Sequence, residues 1–166
     1  TGAIIDLIDD LLGEPSPLIP EDPYLKAEMR RIQWIVAADT QPYQNIPFII
    51  QAMGEWGMKK AQPIKHPLRK HFINREFSAI EEILKNVSGK YCVGDNVSYA
   101  DCFLIPQIRN ALASDIPLEK DFPNLNKVWK NMLDLPNVLD IFERAGGIIQ
   151  PIVVDEKKLK EYVEPE

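Results

Sequence analysis

Apolar residues along this chain recur at intervals of three and four, and strict alternation of apolar and polar positions nowhere persists long enough to make a strand. The pattern predicts an all-α protein. Over residues 3–12, Ile4, Ile5, Ile8, Leu11 and Leu12 fall toward one side of a helix and Asp6, Asp9 and Asp10 toward the other, with Gly13 as the stop. Glu14-Pro15-Ser16-Pro17-Leu18-Ile19-Pro20 follows. Its prolines fix φ and remove backbone donors, so it reads as a semi-rigid extended connector and as the clearest domain boundary in the chain.

A long helix is expected to begin with Asp22 as N-cap and Pro23 at the first helical position, where a missing N–H costs nothing. Its apolar stripe is Leu25, Met29, Ile32, Val36 and Ala37. Pro42 disfavours helical geometry at Gln41 and removes a ladder bond, so a break or kink is expected at Thr40-Gln41-Pro42. Another helix is expected from Asn45 to about Met58, with Phe48, Ile49, Ala52, Met53 and Trp56 as its apolar members and a turn around Pro63. Pro67 opens the next, which runs through Phe72, Ile73, Phe77, Ile80, Ile83 and Leu84 to a stop at Ser88-Gly89.

The strongest local signal is Val97-Ser98-Tyr99-Ala100-Asp101-Cys102. Ser98 and Asp101 have the spacing of a capping box, with Asp in place of the usual Glu, and Val97 and Cys102 that of a hydrophobic staple. This is folding chemistry rather than catalysis. The helix it opens should bend at Pro106 and continue to about Ala113, with two more helices over 125–133 and 137–144 ending at Gly146-Gly147. The charged stretch 155–166 reads as a surface tail.

Composition narrows the function classes. The 166 residues carry a formal net charge of −6, which argues against general affinity for nucleic acid. Lys59, Lys60, Lys65, His66, Arg69, Lys70 and His71 form one basic stretch, without interleaved aromatics, and read as a solvated helix face. No apolar run reaches the ~20 residues of a membrane span. The opening Thr-Gly-Ala-Ile-Ile-Asp reads as a chain entered within an element rather than as a leader. Two cysteines, Cys92 and Cys102, are too few for a disulfide scaffold or a four-cysteine zinc site and read as cytosolic thiols.

Few groupings suggest chemistry. His66 and His71 stand five apart and do not share the helix face a metal pair requires, so no metal site is expected. Cys102 sits where a small hydrophobe is wanted, and Cys92 has no neighbouring thiol. The segment Gln41-Pro42-Tyr43-Gln44-Asn45 interrupts a long amphipathic run with a proline and clustered amides. A helix break frees backbone donors, and side-chain amides can both donate to and accept from a peptide-like ligand. The alternative is a plain inter-helix turn in which Asn45 only caps the next helix.

Over most of its length the chain resembles the glutathione transferases, and among them the zeta class. Gln41-Pro42-Tyr43-Gln44-Asn45 is similar to the Gln-Pro-x-x-Asn-like segment of that class; Tyr91-Cys92-Val93-Gly94-Asp95 and Val97–Asp101 resemble its capping-box region, and Phe103-Leu104-Ile105-Pro106-Gln107 continues the match. The resemblance implies the helical C-terminal bundle of a glutathione transferase, over 22–150. Residues 1–14 would be the last part of a thioredoxin-like domain, 15–21 the interdomain linker and 151–166 a surface tail.

The same resemblance implies glutathione as cosubstrate, contacted by Thr1, Gln41, Asn45, Ile46 and Pro47. Near Ala113, where the family usually offers an arginine for the carboxylates of a small acidic, electrophilic substrate, none is present; Arg109, one turn earlier on nearly the same face, is the candidate substitute, and the alternative is a surface arginine without a ligand. The family's catalytic Ser-Ser-Cys segment has no counterpart here, so the catalytic group is expected in a missing N-terminal domain. The activity implied for the full-length protein is cis–trans isomerisation of maleylacetoacetate in tyrosine and phenylalanine catabolism, by a cytoplasmic homodimer without nucleic-acid or membrane partners. The alternative is a non-catalytic assembly module of the same fold.

Overall fold

Helix boundaries follow the capping chemistry where that chemistry is local. The computed structural model describes residues 2–13, 15–55 and 67–144. Within them run α1 (Gly2–Leu12), α2 (Pro23–Trp34), a π-helical segment (Ile35–Thr40), α3 (Gln41–Gln44), α4 (Ile46–Glu55), α5 (Pro67–Val87), α6 (Tyr99–Ala113), α7 (Leu118–Asp121), α8 (Pro123–Leu133) and α9 (Pro136–Arg144). Among the described residues there is no strand, only an isolated bridge between Ser88 and Gly94. The chain is all-α, as its periodicity predicts.

Asp22 caps α2, its Oδ1 accepting from the Leu25 amide at 2.8 Å, and Pro23 occupies the first turn. Gly13 ends α1 with φ +88°, the left-handed conformation that glycine adopts freely. At α6, Asp101 Oδ2 accepts from the Ser98 amide and hydroxyl, both at 2.8 Å, completing the predicted capping box. Its Oδ1 also accepts from the Cys92 amide at 2.9 Å. The loop between α5 and α6 can reach that position because Gly94 turns with φ +71° and its carbonyl accepts from the Gly89 and Tyr91 amides.

The core is built on α5 and α6, with α2 and α8 packed against them. Met29, Ile32, Ile73, Phe77, Ile80, Leu84, Leu104, Ile108, Leu125 and Val128 are all fully buried. Burial of each such side chain contributes roughly 1.5–3 kcal/mol. Phe122, at the N-cap of α8, has no oxygen to offer the first-turn amides. Glu81 of α5 supplies them instead: Oε1 accepts from the Asn124 amide at 2.8 Å and Oε2 from the Leu125 amide at 3.0 Å.

Four features depart from the sequence expectations. Pro42 does not break the helix; Gln41 keeps helical φ −61° and ψ −44°, and the chain first turns away at Asn45, with ψ 139°. The π-helical segment is the reason: the Gln41 amide bonds to the Val36 carbonyl five residues back, and the wider turn relieves the clash of the proline ring with the preceding turn. Arg69 is not part of a solvated face but is 2% exposed, and burial pushes its guanidinium down to about 10. Helix α7 has no periodic signature in four residues. On α1 the face expected to be polar holds the inward-facing Asp9, while Ile4, Leu7, Ile8 and Leu11 are exposed.

The expected apolar members Met53 and Trp56, the basic residues 59–66, the turn around Pro63, Gly146-Gly147 and the tail lie outside the residues described here or have side chains that are not described.

Candidate functional site

The candidate site is the break between α3 and α4. Gln41 lies on the first turn after the π-helical segment and is exposed; Asn45 is exposed in extended conformation; Pro47 is exposed on the first turn of α4. The Asn45 carbonyl accepts the first bond of α4, from the Ile49 amide at 3.2 Å. The break thus presents two side-chain amides beside the start of a ten-residue helix, where first-turn N–H groups lack intrahelical acceptors. Such a surface can donate to carbonyl and carboxylate oxygens and accept from peptide N–H groups.

Aromatic packing holds the break in place from both sides. Tyr43, before it, stacks on Phe72 of α5 with ring centroids 4.5 Å apart; Phe48, after it, meets the Tyr43 ring edge-on at 5.4 Å and Phe72 at 6.3 Å. These offset and edge-on geometries are the favourable ones for aromatic pairs. Arg75, one turn further along α5, lies over the Phe72 ring at 5.0 Å. A break fastened in this way keeps its exposed amides at fixed positions without needing to order a loop when a ligand arrives.

Two further residues of the region are buried, which the sequence patterns do not announce. Gln44 is 1% exposed, and neither its Oε1 nor its Nε2 finds a hydrogen-bond partner. Its place in the amide cluster is the one sequence signal, and the cluster does not say which of its amides turns inward. Arg69 is the other, at the start of α5, the helix that α3 packs against.

Among the remaining residues singled out by sequence, Ile46 opens α4, and Arg109 is half-buried on α6. Thr1 lies outside the described residues. The neighbouring Gly2 packs over α6, where a methyl group added to it would sit 3.6 Å from Phe103 Cζ. Helix α6 also packs against the π-helical segment, so it is the element that the start of α1 and the approach to Gln41 both touch.

The cysteines are chemically quiet. Cys92 is fully buried, and desolvation, then the Asp101 carboxylate, pushes its thiol well above the usual value; burial followed by Asp101 also raises Cys102. Neither is a ready thiolate near neutral pH. Among the described residues no group of three or more His, Cys, Asp and Glu gathers as a metal site, and no helix is long and apolar enough to cross a membrane.

The fold of this helical chain is shared with proteins of known structure. The chain belongs to the glutathione S-transferase family: residues 46–143 match its C-terminal domain. Within that family it is similar to maleylacetoacetate isomerase of Mus musculus, 35% identical over 149 residues that cover 90% of this chain and 62% of that protein. Two solved structures resemble it. A bacterial maleyl pyruvate isomerase described as zeta class aligns with TM-score 0.74 at 25% identity, covering 91% of this chain and 68% of that one. Maleylacetoacetate isomerase from Anaeromyxobacter dehalogenans, solved with glutathione in its active site, aligns with TM-score 0.71 at 26% identity, covering 90% and 64%. The chain thus spans about three fifths of the mouse relative's length.

Proposed function

We propose that this chain is the helical, substrate-holding part of a longer glutathione-dependent isomerase that converts maleylacetoacetate or a close analogue from cis to trans. The observation that carries the proposal is the rigidly held break that exposes Gln41 and Asn45, in a chain whose relatives include an isomerase solved with glutathione in its active site. In this reading Gln41, Asn45, Ile46 and Pro47 contact glutathione, and Thr1 adds a hydroxyl at the start of α1, where a helix N-terminus favours a carboxylate. Arg109 binds a carboxylate of the acidic substrate.

The chemistry is addition of the glutathione thiolate to the cis double bond, rotation about the resulting single bond, and elimination to the trans product. No net oxidation occurs. A free thiol is mostly protonated at neutral pH, so a group outside this chain must stabilise the thiolate; buried Cys92 and half-buried Cys102, both with raised pKa, are unsuited to taking its place.

The division of the chain follows from the same reading: 1–14 as the end of a thioredoxin-like domain, 15–21 as linker, 22–150 as the helical domain and 151–166 as a tail. The exposed stripe Ile4, Leu7, Ile8 and Leu11 supports it, because these residues have the i, i+3, i+4, i+7 spacing of a face that packs against another layer. A cytoplasmic homodimer completes the proposal by analogy with the family. The complete protein should bind glutathione and isomerise a maleyl substrate only when glutathione is present. A stable complete protein that binds no glutathione would instead favour the non-catalytic assembly module.

A further inference from the structure

Helix α1 is held to the helical body by a polar contact rather than by its apolar stripe. Gly2, Ile5 and Asp9 share the inward face, and Asp9 is only 6% exposed. Its Oδ1 accepts from the Ser16 hydroxyl at 2.5 Å, and its carboxylate lies close enough to the Tyr99 phenol to raise that group's pKa. Tyr99 is itself 1% exposed, with the Arg30 guanidinium 5.3 Å from its ring centroid, and its amide bonds to the Leu18 carbonyl. Burial and the adjacent Asp9 push the Tyr99 phenol up, so it remains a donor throughout the physiological range. Helix α1, the connector and the start of α6 therefore meet at one carboxylate.

A buried carboxylate held by the Ser16 hydroxyl and faced by the Tyr99 phenol fixes geometry more narrowly than apolar packing, because moving it leaves an unpaired charge in a dry site. The same inward face of α1 begins at Gly2 over Phe103 of α6, and α6 packs on the segment leading to Gln41. We infer that Asp9, Ser16 and Tyr99 form a clasp that sets the first turn of α1 against the wall bearing Gln41 and Asn45, which makes Asp9 and Tyr99 positioning residues for glutathione. This rests on the function proposed above in its second half only: the clasp itself is independent of any ligand.

The test uses Asp9→Asn, Tyr99→Phe and the double variant in the complete protein, with two measurements. Amide hydrogen exchange should accelerate in α1 relative to α6 in each variant. The KM for glutathione should rise roughly fivefold or more while kcat at saturating glutathione stays within about twofold. The double variant should be no worse than the worse single one, since both substitutions open the same contact. Unchanged exchange in α1, or a lowered melting temperature with an unchanged KM, overturns the inference. Gln41→Ala, assayed alongside, separates the two claims: if it leaves glutathione affinity unchanged, the proposed function fails whatever the clasp variants show.

Discussion

Tyr43 lies flat against Phe72, its ring plane 15° from parallel, and this contact ties the amide-bearing break to α5, the longest helix among the described residues. Both rings are only half-buried, so their mutual orientation contributes alongside simple burial. A double-mutant cycle with Tyr43→Leu and Phe72→Leu should give a coupling of about 0.5–1.5 kcal/mol in denaturant unfolding. Additive losses would mean that the stack does not hold the break.

Gln44 makes the opposite kind of prediction. A buried amide with no partner at either atom is a standing penalty, and an apolar side chain of similar size removes it. Gln44→Leu should raise the free energy of unfolding by about 1–3 kcal/mol. A loss of stability would reveal that the amide is satisfied in solution, for instance by a buried water.

Asp101 stands at the other extreme, fully buried and accepting from Ser98 twice and from Cys92 once. In Asp101→Asn one oxygen becomes a donor facing donors. The substitution should destabilise the protein by about 1.5–3 kcal/mol, and amide exchange at Cys92 and Ser98 should accelerate beyond the change at the rest of α6.

The cysteines yield a pH dependence. Burial raises both thiols above their ordinary value of 9.0. Between that value and the folded one, the unfolded chain has lost protons that the native protein retains. Their contribution to stability is therefore complete below about pH 9 and is lost as the pH rises through the folded values. A disulfide exchange reagent at pH 8 should leave Cys92 unmodified in the native protein and react with both thiols after unfolding. Rapid native labelling of Cys92 would contradict its burial.

The parts of this structure legible in sequence are those decided by neighbours in the chain. Asp22 starts α2 and Ser98 with Asp101 opens α6, because each cap is satisfied within three residues, and Pro67 starts α5 because its fixed φ suits a first helical turn. What escaped depends on distant partners or on backbone adjustment. Glu81 caps α8 across 43 positions, a pairing no local pattern contains. Pro42 is absorbed by a π-helical turn that its own sequence neighbourhood does not announce. Asp9 belongs by periodicity to the solvated side of α1, yet turns inward because Ser16 and Tyr99 meet it there. At the candidate site, the Gln41–Asn45 segment was visible as an expensive interruption, whereas the burial of Gln44 and Arg69 required the fold.

The role given to that interruption is decided by titrating glutathione into the complete protein, wild type beside Gln41→Ala, by calorimetry. If the exposed amide is a wall of the glutathione site, the substitution weakens binding by about 1–3 kcal/mol with the melting temperature unchanged, since the side chain is exposed and its backbone remains helical. Equal dissociation constants for the two proteins would contradict the account.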